Sequence, residues 1–141
     1  MAVRIKHYKN LARTPALPLV VVGWSELIKN NHVLNAVLVF WDDEALVAFC
    51  KNRPVGVLTY IFIEHLKCFD IRIGYVVPEF RRQGIYEQLW QALVKRAQDQ
   101  NVLAIESSTA MENKVMRDFA KKMGRRERGV LLTFEVPQKG K

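Results

Sequence analysis

Three apolar stretches near the middle of the chain are separated by short polar breaks. The stretches are residues 46–50, 55–63 and 68–77. The breaks, residues 51–54 and 64–67, carry the turn-forming and charged residues that interrupt strands. This close spacing predicts an antiparallel meander. Gly56, inside the second stretch, predicts a bulge or a close approach of another backbone.

A helical pattern follows the third stretch, after a break at Pro78. Apolar residues recur at the spacing of a helix that begins near Gly84. The apolar stripe consists of Ile85, Leu89, Ala92, Leu93 and Ala97, with Tyr86, Trp90 and Val94 beside it. The opposite side is polar. One broad face of this helix is therefore predicted to pack on the sheet.

The last third of the chain predicts a strand, a helix and a final strand. We interpret residues 101–107 as a short buried strand. Thr109 followed by Glu112 is the signature of a capping box, and apolar residues at helical spacing continue to Gly124, which suits a helix end. Residues 130–136 are predicted to close the sheet as its last strand.

The region between Trp24 and Trp41 has a less regular pattern. We expect one or two short helices there, with Ser25 as an N-cap. Residues 36–41 alternatively extend as a strand.

Basic residues and a glycine occupy the junction between the third strand and the first of these helices. The leading N–H groups of a helix have no partner inside it, and aligned peptide dipoles leave partial positive charge at its start. Arg81 and Arg82 add full charges, and Gly84 has no Cβ to hold an oxygen away from the backbone. The sequence therefore predicts a phosphate site, well suited to a pyrophosphate.

The junction resembles the acyl-CoA-binding signature of the GCN5-related N-acetyltransferase (GNAT) superfamily. That signature is a strand ending in Val-x-Pro, then Arg/Gln-x-x-Gly-x-Gly/Ala at the start of a helix. Here Val76, Pro78, Arg81 and Gly84 match it, while Tyr86 stands where a small residue is commoner. The family's order of elements and its second-helix pattern, at residues 113–124, also match, so the resemblance covers roughly residues 45–136.

This resemblance implies a three-layer α/β/α fold with a mixed, largely antiparallel sheet. It also implies transfer of an acetyl group from acetyl-CoA directly to an amine of an unidentified acceptor, without a metal. In the family, the strand before the junction splays from its neighbour, which frees backbone groups for the pantetheine arm and for the thioester carbonyl. The resemblance assigns coenzyme contacts to Val76, Val77, Arg81, Arg82, Gln83, Gly84, Ile85, Tyr86 and Asn113.

Two carboxylates are candidates for the catalytic base. An amine must be neutral to attack, and a lysine-like amine with a pKa of about 10.4 is almost wholly protonated near neutrality. Asp70 occupies the strand position where many family members carry a glutamate base, and Glu106 is the rival candidate. The structural alternative for each is an ion pair, for Asp70 with Arg72. The resemblance gives Asn113 a contact near the pantetheine arm or the sulfur, with a polar helix-start residue as the alternative.

The general acid that is usual in this family is missing. A tyrosine in the second helix normally protonates the departing sulfur, and this chain has Ala120 there, after Phe119. A general acid contributes about 10² to 10⁴ in rate, whereas positioning contributes roughly 7 to 11 kcal/mol, so we expect a slower rather than an inactive enzyme. The candidate substitutes, each with a structural role as the simpler interpretation, are Ser107, Ser108, Thr109 and Tyr75.

Composition predicts one compact domain. The chain has 141 residues, half of them apolar, and residues 1–141 are expected to share one core. The apolar run at residues 17–22 is too short to cross a bilayer, and the start lacks an apolar signal region. We therefore expect a cytoplasmic protein that does not enter a membrane.

Cysteine and histidine usage predicts neither a disulfide nor a metal site. Cys50 and Cys68 fall in predicted strands, where we interpret them as small apolar residues in a reducing compartment. His7, His32 and His65 lack the spacing of metal ligands.

The net charge of +8 leaves the choice of partner open. It is compatible with a solvated face, with attraction of an anionic coenzyme or acidic acceptor, and with a nucleic-acid footprint. The alternative function is a catalytically silent domain that binds acyl-CoA or a nucleic-acid phosphate and docks a partner through its basic helix. A homodimer is also left open. The basic cluster consists of Lys114, Arg117, Lys121, Lys122, Arg125, Arg126 and Arg128.

Overall fold

The computed structural model describes residues 2–30 and 41–140. Within them, five strands form one sheet in the order β1-β2-β3-β4-β5. The strands are β1 Arg4–Tyr8, β2 Glu44–Cys50, β3 Arg53–Ile63, β4 Cys68–Val76 and β5 Ala104–Glu106. The helices are α1 Leu17–Lys29, α2 Ile85–Asp99 and α3 Lys114–Lys122, with short 3₁₀ turns at Leu11–Arg13, Glu64–Leu66 and Pro78–Phe80.

The sheet is mixed and largely antiparallel, as predicted. β1, β2, β3 and β4 pair antiparallel in sequence order, whereas β4 and β5 pair parallel. A parallel pair needs a crossover connection, and α2 supplies it. The three strands of the predicted meander correspond to β2, β3 and β4.

Helices cover both faces of this sheet. Gly74 and Tyr75 are adjacent on β4, so they point to opposite faces. Gly74 lies against Tyr86 of α2, whereas Tyr75 lies against Gly23 of α1. The helices α1 and α2 therefore pack on opposite sides, which confirms the three-layer α/β/α arrangement.

The predicted apolar stripe of α2 is the part of that helix that meets the sheet. Gly56 of β3 lies beneath it, since a Cβ there would be 3.2 Å from Ile85 and 3.3 Å from Leu89. The register between β2 and β3 also shifts next to Gly56. The bulge predicted at Gly56 is confirmed, whereas its close neighbours are side chains and not another backbone. The buried residues of α2 are Ile85, Leu89, Trp90, Leu93 and Ala97.

The N-terminal region differs from its predicted pattern. The helix α1 begins at Leu17 with a proline in its first turn, where a missing N–H costs nothing. Ser25 lies inside this helix and donates from Oγ to the Val21 carbonyl at 3.0 Å, so the prediction of an N-cap there is wrong. β1 has a mixed polar pattern that did not predict a strand. The alternative strand at residues 36–41 falls, except for Trp41, outside the described residues.

The start of α3 also differs from prediction. Asn113 is its N-cap, and the side-chain Oδ1 accepts from the Met116 N–H at 3.2 Å. Asn113 Nδ2 donates to Thr109 Oγ1 at 3.0 Å, so Thr109 supports the cap instead of forming a capping box with Glu112. An asparagine oxygen satisfies a first-turn amide as well as a threonine does, which explains the later start.

The strands predicted in the last third are shorter or absent. β5 comprises three residues with largely exposed side chains, where a buried strand over residues 101–107 was expected. Residues 130–136 form no strand and pair with none of the described strands, so the prediction that they close the sheet is wrong. The short outer edge of β5 offers too little backbone to hold a seven-residue strand.

Candidate functional site

The junction between β4 and α2 has the geometry of an anion site. Arg82 and Gly84 have positive φ angles of 61° and 77°, which turn the chain sharply into the helix. The first hydrogen bond of α2 runs from the Gln88 N–H to the Gly84 carbonyl at 3.0 Å. The amides before Gln88 therefore point out of the helix N-terminus, where they are available to an anion. A Cβ on Gly84 would meet nothing within 4 Å, so the space beside these amides, here called the open seat, is empty of protein atoms.

The two arginines of the junction have different surroundings. Arg81 Nε donates to the Val76 carbonyl at 2.8 Å, and its Nη2 reaches both carboxylate oxygens of Glu26 at 3.0 and 3.1 Å. The guanidinium also lies 5.3 Å from the centroid of the Tyr75 ring. Arg81 thus ties the junction to α1, while Arg82 is exposed and has no side-chain partner among the described residues.

The remaining junction residues offer backbone rather than side chains. Ile85 is buried beneath the sheet, and the exposed Gln83 directs its amide at the Glu79 carbonyl at 3.5 Å. Val77 is buried and donates its N–H to the Val55 carbonyl at 3.0 Å. The coenzyme contacts assigned to Gln83, Ile85 and Val77 stay predictions, and they would be made through the main chain.

Tyr86, the bulky residue of the motif, turns its ring toward the sheet. A Cβ on Gly74 would be 2.7 Å from Tyr86 Oη, so the ring fills the space that glycine leaves on β4. Phe119 of α3 packs edge-on against the same ring, with centroids 5.0 Å apart. Burial raises the pKa of Tyr86 to about 12, opposed by Arg125, so its phenol stays neutral. The ring is part of the core between β4, α2 and α3.

β4 and β5 stop pairing before β4 reaches its junction with α2. Their parallel ladder ends at the pair Asp70 and Glu106, whereas β4 continues to Val76. Past Asp70, no described strand lies next to β4 on that side. Backbone N–H and C=O groups along this open edge need partners, which a ligand can supply. The splay expected from the resemblance is present.

Asp70 and Glu106 meet at the point of separation. As partners in a parallel ladder, their side chains project from the same face. Burial raises the pKa of Asp70, the Arg72 guanidinium lowers it, and the Glu106 carboxylate raises it, with a net rise. Glu106 is about half exposed and lies 3.4 Å from Arg128 Nη1. The structure therefore brings the two candidate bases together and leaves Asp70 the more enclosed one.

Arg72 and Asp43 complete this charged group. Arg72 is the extra residue of a bulge in β4 opposite Thr59 and Tyr60. Its Nη1 lies 3.7 Å from Asp70 Oδ2, and its Nε lies 3.8 Å from Asp43 Oδ2. Asp43 is almost fully buried, at 1% exposure. Sequence reasoning missed Asp43 because nothing local distinguishes it from the aspartate before it.

Asn113 is buried at the start of α3, and both polar groups of its side chain are used there. It accepts from Met116 and donates to Thr109, as described above. The capping role is therefore present. The contact with the pantetheine arm that the resemblance assigns to Asn113 stays a prediction.

The candidate substitutes for the missing general acid have structural partners or stand in solvent. Ser107 Oγ accepts a hydrogen bond from Arg125. Tyr75 lies under the Arg81 guanidinium, and burial raises the pKa of its phenol. Ser108 is exposed. Replacement of the family tyrosine by one of these groups stays a prediction.

The described part of the chain has neither a group of metal ligands nor a helix that could span a membrane. No three His, Cys, Asp or Glu side chains in residues 2–30 and 41–140 come together to hold a metal ion. No helix there is long and apolar enough to cross a membrane. Cys68 donates from Sγ to the Phe69 carbonyl at 3.2 Å.

Comparison with known families identifies the chain. The model of the acetyltransferase (GNAT) family matches residues 16–124. The chain belongs to this family. The resemblance inferred from the junction is thereby confirmed, and the matched range extends it toward the N-terminus to include α1. A comparison with curated proteins finds no match.

Solved structures of GNAT acetyltransferases share the fold. An aminoglycoside acetyltransferase from an uncultured soil metagenomic sample, in complex with sisomicin, has a TM-score of 0.71 at 17% identity, with 97% of each chain covered. The ribosomal-protein-alanine N-acetyltransferase from Brucella melitensis has a TM-score of 0.70 at 16% identity, covering 96% of this chain and 100% of that one. The aminoglycoside N-acetyltransferase AAC(6')-Iy in complex with CoA has a TM-score of 0.67 at 15% identity, covering 96% and 95%. At these identities the likeness establishes the fold alone.

Proposed function

We propose that this acetyltransferase binds acetyl-CoA at the junction between β4 and α2 and transfers the acetyl group to an amine of its acceptor. One observation supports this most: three features needed for the reaction lie along a single strand. The open helix N-terminus follows β4, the unpaired edge runs beside β4, and the carboxylate pair stands where β4 and β5 part.

The coenzyme would lie along this strand in a definite order. Its pyrophosphate would accept hydrogen bonds from the amides at the start of α2, with Arg82 adding charge from solvent. Its pantetheine arm would then follow the open edge of β4 toward Asp70, pairing with free backbone groups as a strand would. The CoA complex of AAC(6')-Iy, which has the same fold, supports this choice of ligand.

The carboxylates then act on the incoming amine. Asp70, directly or through a water, takes a proton from the ammonium group of the acceptor. The neutral nitrogen attacks the thioester carbonyl, and a backbone N–H near Val76 stabilises the oxyanion. The attached nitrogen then loses its second proton to solvent, and the C–S bond breaks, which gives the acetylated amide and the coenzyme thiolate.

We assign the base to Asp70 rather than to Glu106 on the basis of their surroundings. A base is more effective as its pKa approaches the working pH, and burial together with Glu106 moves the pKa of Asp70 in that direction. Glu106 is more exposed and contacts Arg128. In this account, Glu106 acts on Asp70 as a neighbouring negative charge.

The reaction does not depend on a tyrosine at position 120. A simple thiol has a pKa of about 8.5, so a thiolate is a tolerable leaving group near neutrality. Solvent can protonate it after it departs. Ala120 therefore predicts a slower enzyme, with most of the acceleration coming from positioning.

The acceptor is proposed to be a cationic amine. Asp70 and Glu106 place carboxylates where the acceptor nitrogen would arrive, and Arg72, which also pairs with the buried Asp43, offsets part of their charge. Solved proteins with the same fold include aminoglycoside acetyltransferases and a ribosomal-protein-alanine N-acetyltransferase. Nucleic-acid binding and a cytoplasmic location stay predictions of the sequence.

The test is transfer of labelled acetyl from acetyl-CoA to separate pools of aminoglycosides, polyamines and peptides with N-terminal alanine. We expect stable amide label in at least one pool. Asp70→Asn should lower the rate about 100-fold or more near pH 7, and less at high pH, where the amine deprotonates itself. Asp99→Asn removes an exposed carboxylate on α2 that pairs with Lys95, and it should leave the rate unchanged. Equal losses at every pH would make Asp70 structural.

A catalytically silent coenzyme-binding domain is the second candidate. Ala120 favours it, since this position lacks the hydroxyl that the family tyrosine supplies. In that case coenzyme A would bind, but no pool would accept label even at saturating acetyl-CoA. Binding with transfer would exclude this candidate.

A further inference from the structure

Arg72 reaches the carboxylate pair because β4 contains one extra residue. The pairing with β3 passes from Ile71 directly to Ile73, which makes Arg72 the bulged residue. Ile71 and Ile73 pair with adjacent residues of β3 and therefore point to opposite faces of the sheet, whereas residues two apart in a regular strand share a face. The Ile73 N–H donates to Thr59 Oγ1 at 3.2 Å, which holds the bulge. A bulge re-aims the side chain that it carries, and here that side chain is a guanidinium.

The Arg72 guanidinium lies between two carboxylates at nearly equal distances. Its Nη1 is 3.7 Å from Asp70 Oδ2, and its Nε is 3.8 Å from Asp43 Oδ2. A charge-assisted hydrogen bond between a guanidinium and a carboxylate is normally about 2.7–2.9 Å long. Arg72 therefore attracts Asp70 without closing into a tight pair with it, and one positive charge is divided between two negative ones.

Asp43 is the more firmly placed of these two carboxylates. Its side chain is 1% exposed, compared with 31% for Asp70. Its carbonyl accepts from the Leu11 N–H at 2.8 Å, and Leu11 is itself fully buried. A buried carboxylate needs a positive charge nearby, so Asp43 holds Arg72 on its own side of the group.

We propose that Asp43 is a positioning residue for the acetyl transfer, which holds the Arg72 guanidinium back from Asp70 and so keeps that carboxylate open to the acceptor amine. This role rests on the proposed function, in which Asp70 takes a proton from the acceptor. A carboxylate that is closed into a bidentate pair with arginine has its oxygens occupied and is a weaker base. Asp43 does not contact the acceptor and acts only through Arg72.

The groups that face Asp70 set the sign of the expected effect. Burial raises the pKa of Asp70, Arg72 lowers it, and Glu106 raises it. Burial also raises the pKa of the Cys68 thiol, so that neighbour on β4 stays neutral. On β3, Asp70 pairs with Ile61, which carries no charge. Arg72 is therefore the cation that lowers the pKa of Asp70.

The remaining ionic groups of the neighbouring elements pair among themselves. Arg128 lies 3.4 Å from Glu106 and offsets part of its charge. The others are Glu44 with Arg96, and Glu26 of α1 with Arg81. Asp43 is thus the group that competes with Asp70 for Arg72. When Asp43 loses its charge, Arg72 turns fully toward Asp70, and the pKa of Asp70 falls.

The test is a pH titration of the Asp70 carboxyl carbon by NMR, in the whole chain labelled with carbon-13 at aspartate Cγ. The Asp70 signal is the one that Asp70→Asn removes. In Asp43→Asn we expect its midpoint to move to lower pH by about half a unit or more. Asp42→Asn is the matched control, since it changes the adjacent, exposed aspartate in the same way and should leave the midpoint in place.

A double variant tests whether Asp43 acts through Arg72. Arg72→Gln alone leaves the buried Asp43 carboxylate without this cation, which endangers the fold. Asp43→Asn combined with Arg72→Gln removes both charges and keeps similar shapes. Its Asp70 midpoint should lie above that of the wild type, because the cation that lowers it is absent. A midpoint below the wild type in the double variant would show that Asp43 does not act through Arg72.

The rate profile connects this titration to the reaction. In Asp43→Asn the acid limb of kcat/KM should follow the NMR midpoint to lower pH, and the plateau above it should fall about two- to tenfold, because the base is weaker. Circular dichroism should match the wild type. If the rate depends on Asp70 but Asp43→Asn leaves the midpoint in place or raises it, the positioning role is wrong and the proposed base stands. If the midpoint moves as expected but Asp70→Asn costs the same rate at every pH, the proposed base is wrong and the positioning role fails with it.

Discussion

At the scale of single residues, the two adjacent arginines of the junction have different structural roles. Arg81 is bound to Glu26 and to the Val76 carbonyl, so it holds α1 against the end of β4. Arg82 is exposed and takes a left-handed conformation. The motif predicted a role for both, but it could not separate them. Glu26 is distant in sequence, and only the packing of α1 brings it to Arg81.

The carboxylate pair at the end of the parallel ladder gives a prediction about pH. Glu106 raises the pKa of Asp70, and Asp70 must be deprotonated to act as a base. The rate therefore falls as the pH drops through the pKa of Asp70. Removing the neighbouring charge with Glu106→Gln lowers that pKa, so the acid limb of the kcat/KM profile should move to lower pH.

The same pH profile for Asp99→Asn serves as the control and should coincide with the wild type, because that carboxylate lies on α2 away from the site. An acid limb that stays in place or moves upward in Glu106→Gln would mean that Asp70 is not the titrating base.

At the scale of elements, β4 and α2 fit together through one glycine and one tyrosine. A Cβ on Gly74 would lie 2.7 Å from Tyr86 Oη and 2.9 Å from Cζ. Gly74→Ala should therefore lower the free energy of unfolding by about 1–3 kcal/mol through overpacking. In a Tyr86→Ala background the ring is absent, so the same substitution should lower the free energy of unfolding much less.

Urea unfolding of the four proteins in this cycle measures the coupling between the two positions, expected at about 1–3 kcal/mol. If the losses in the free energy of unfolding are additive, the Tyr86 ring moves aside without an energetic penalty.

Local sequence patterns predicted the elements that carry their own signals. The stripe of α2, the three meander strands and the junction glycine were found because periodicity and backbone chemistry mark them. β1 was missed because an edge strand tolerates polar residues on both faces. The α3 cap was placed too early because Thr109 and Asn113 are equally good caps, and only packing decides between them.

The prediction of a final strand at residues 130–136 was wrong for a different reason. Their alternation is a true strand pattern, yet a strand also needs an edge of its own length, and β5 provides three residues. Asp43 likewise has no local sequence signal. Its role depends on the ion pair with Arg72, which a bulge in β4 brings close to it. Both cases concern contacts between distant parts of the chain.

At the scale of the whole molecule, we expect the basic surface around α3 to be separable from the site. Arg125 is part of the packing, since it lies 4.8 Å from the Trp90 ring centroid and donates to Ser107. Lys121, Lys122 and Arg126 are the better residues to change. Replacing these three with glutamine should keep coenzyme affinity within about a few-fold and reduce any binding to nucleic acid.

Salt titration checks this prediction. Nucleic-acid affinity should fall with a log-log slope of about 0.9 per phosphate contacted on duplex DNA, and coenzyme affinity should change much less. If the triple variant keeps its circular dichroism spectrum but loses coenzyme binding, the basic helix belongs to the coenzyme site.

The most direct test of the account is calorimetric titration of the whole chain with coenzyme A. Binding is predicted for the wild type, and Gly84→Val should weaken it at least tenfold, because φ of 77° is strained for a branched residue and the side chain enters the open seat. Gly124→Val is the matched control, since Gly124 has φ of 81° and similar free space but lies after α3. It should lose stability and keep coenzyme affinity. Absence of binding to the wild type at millimolar coenzyme A would contradict the account.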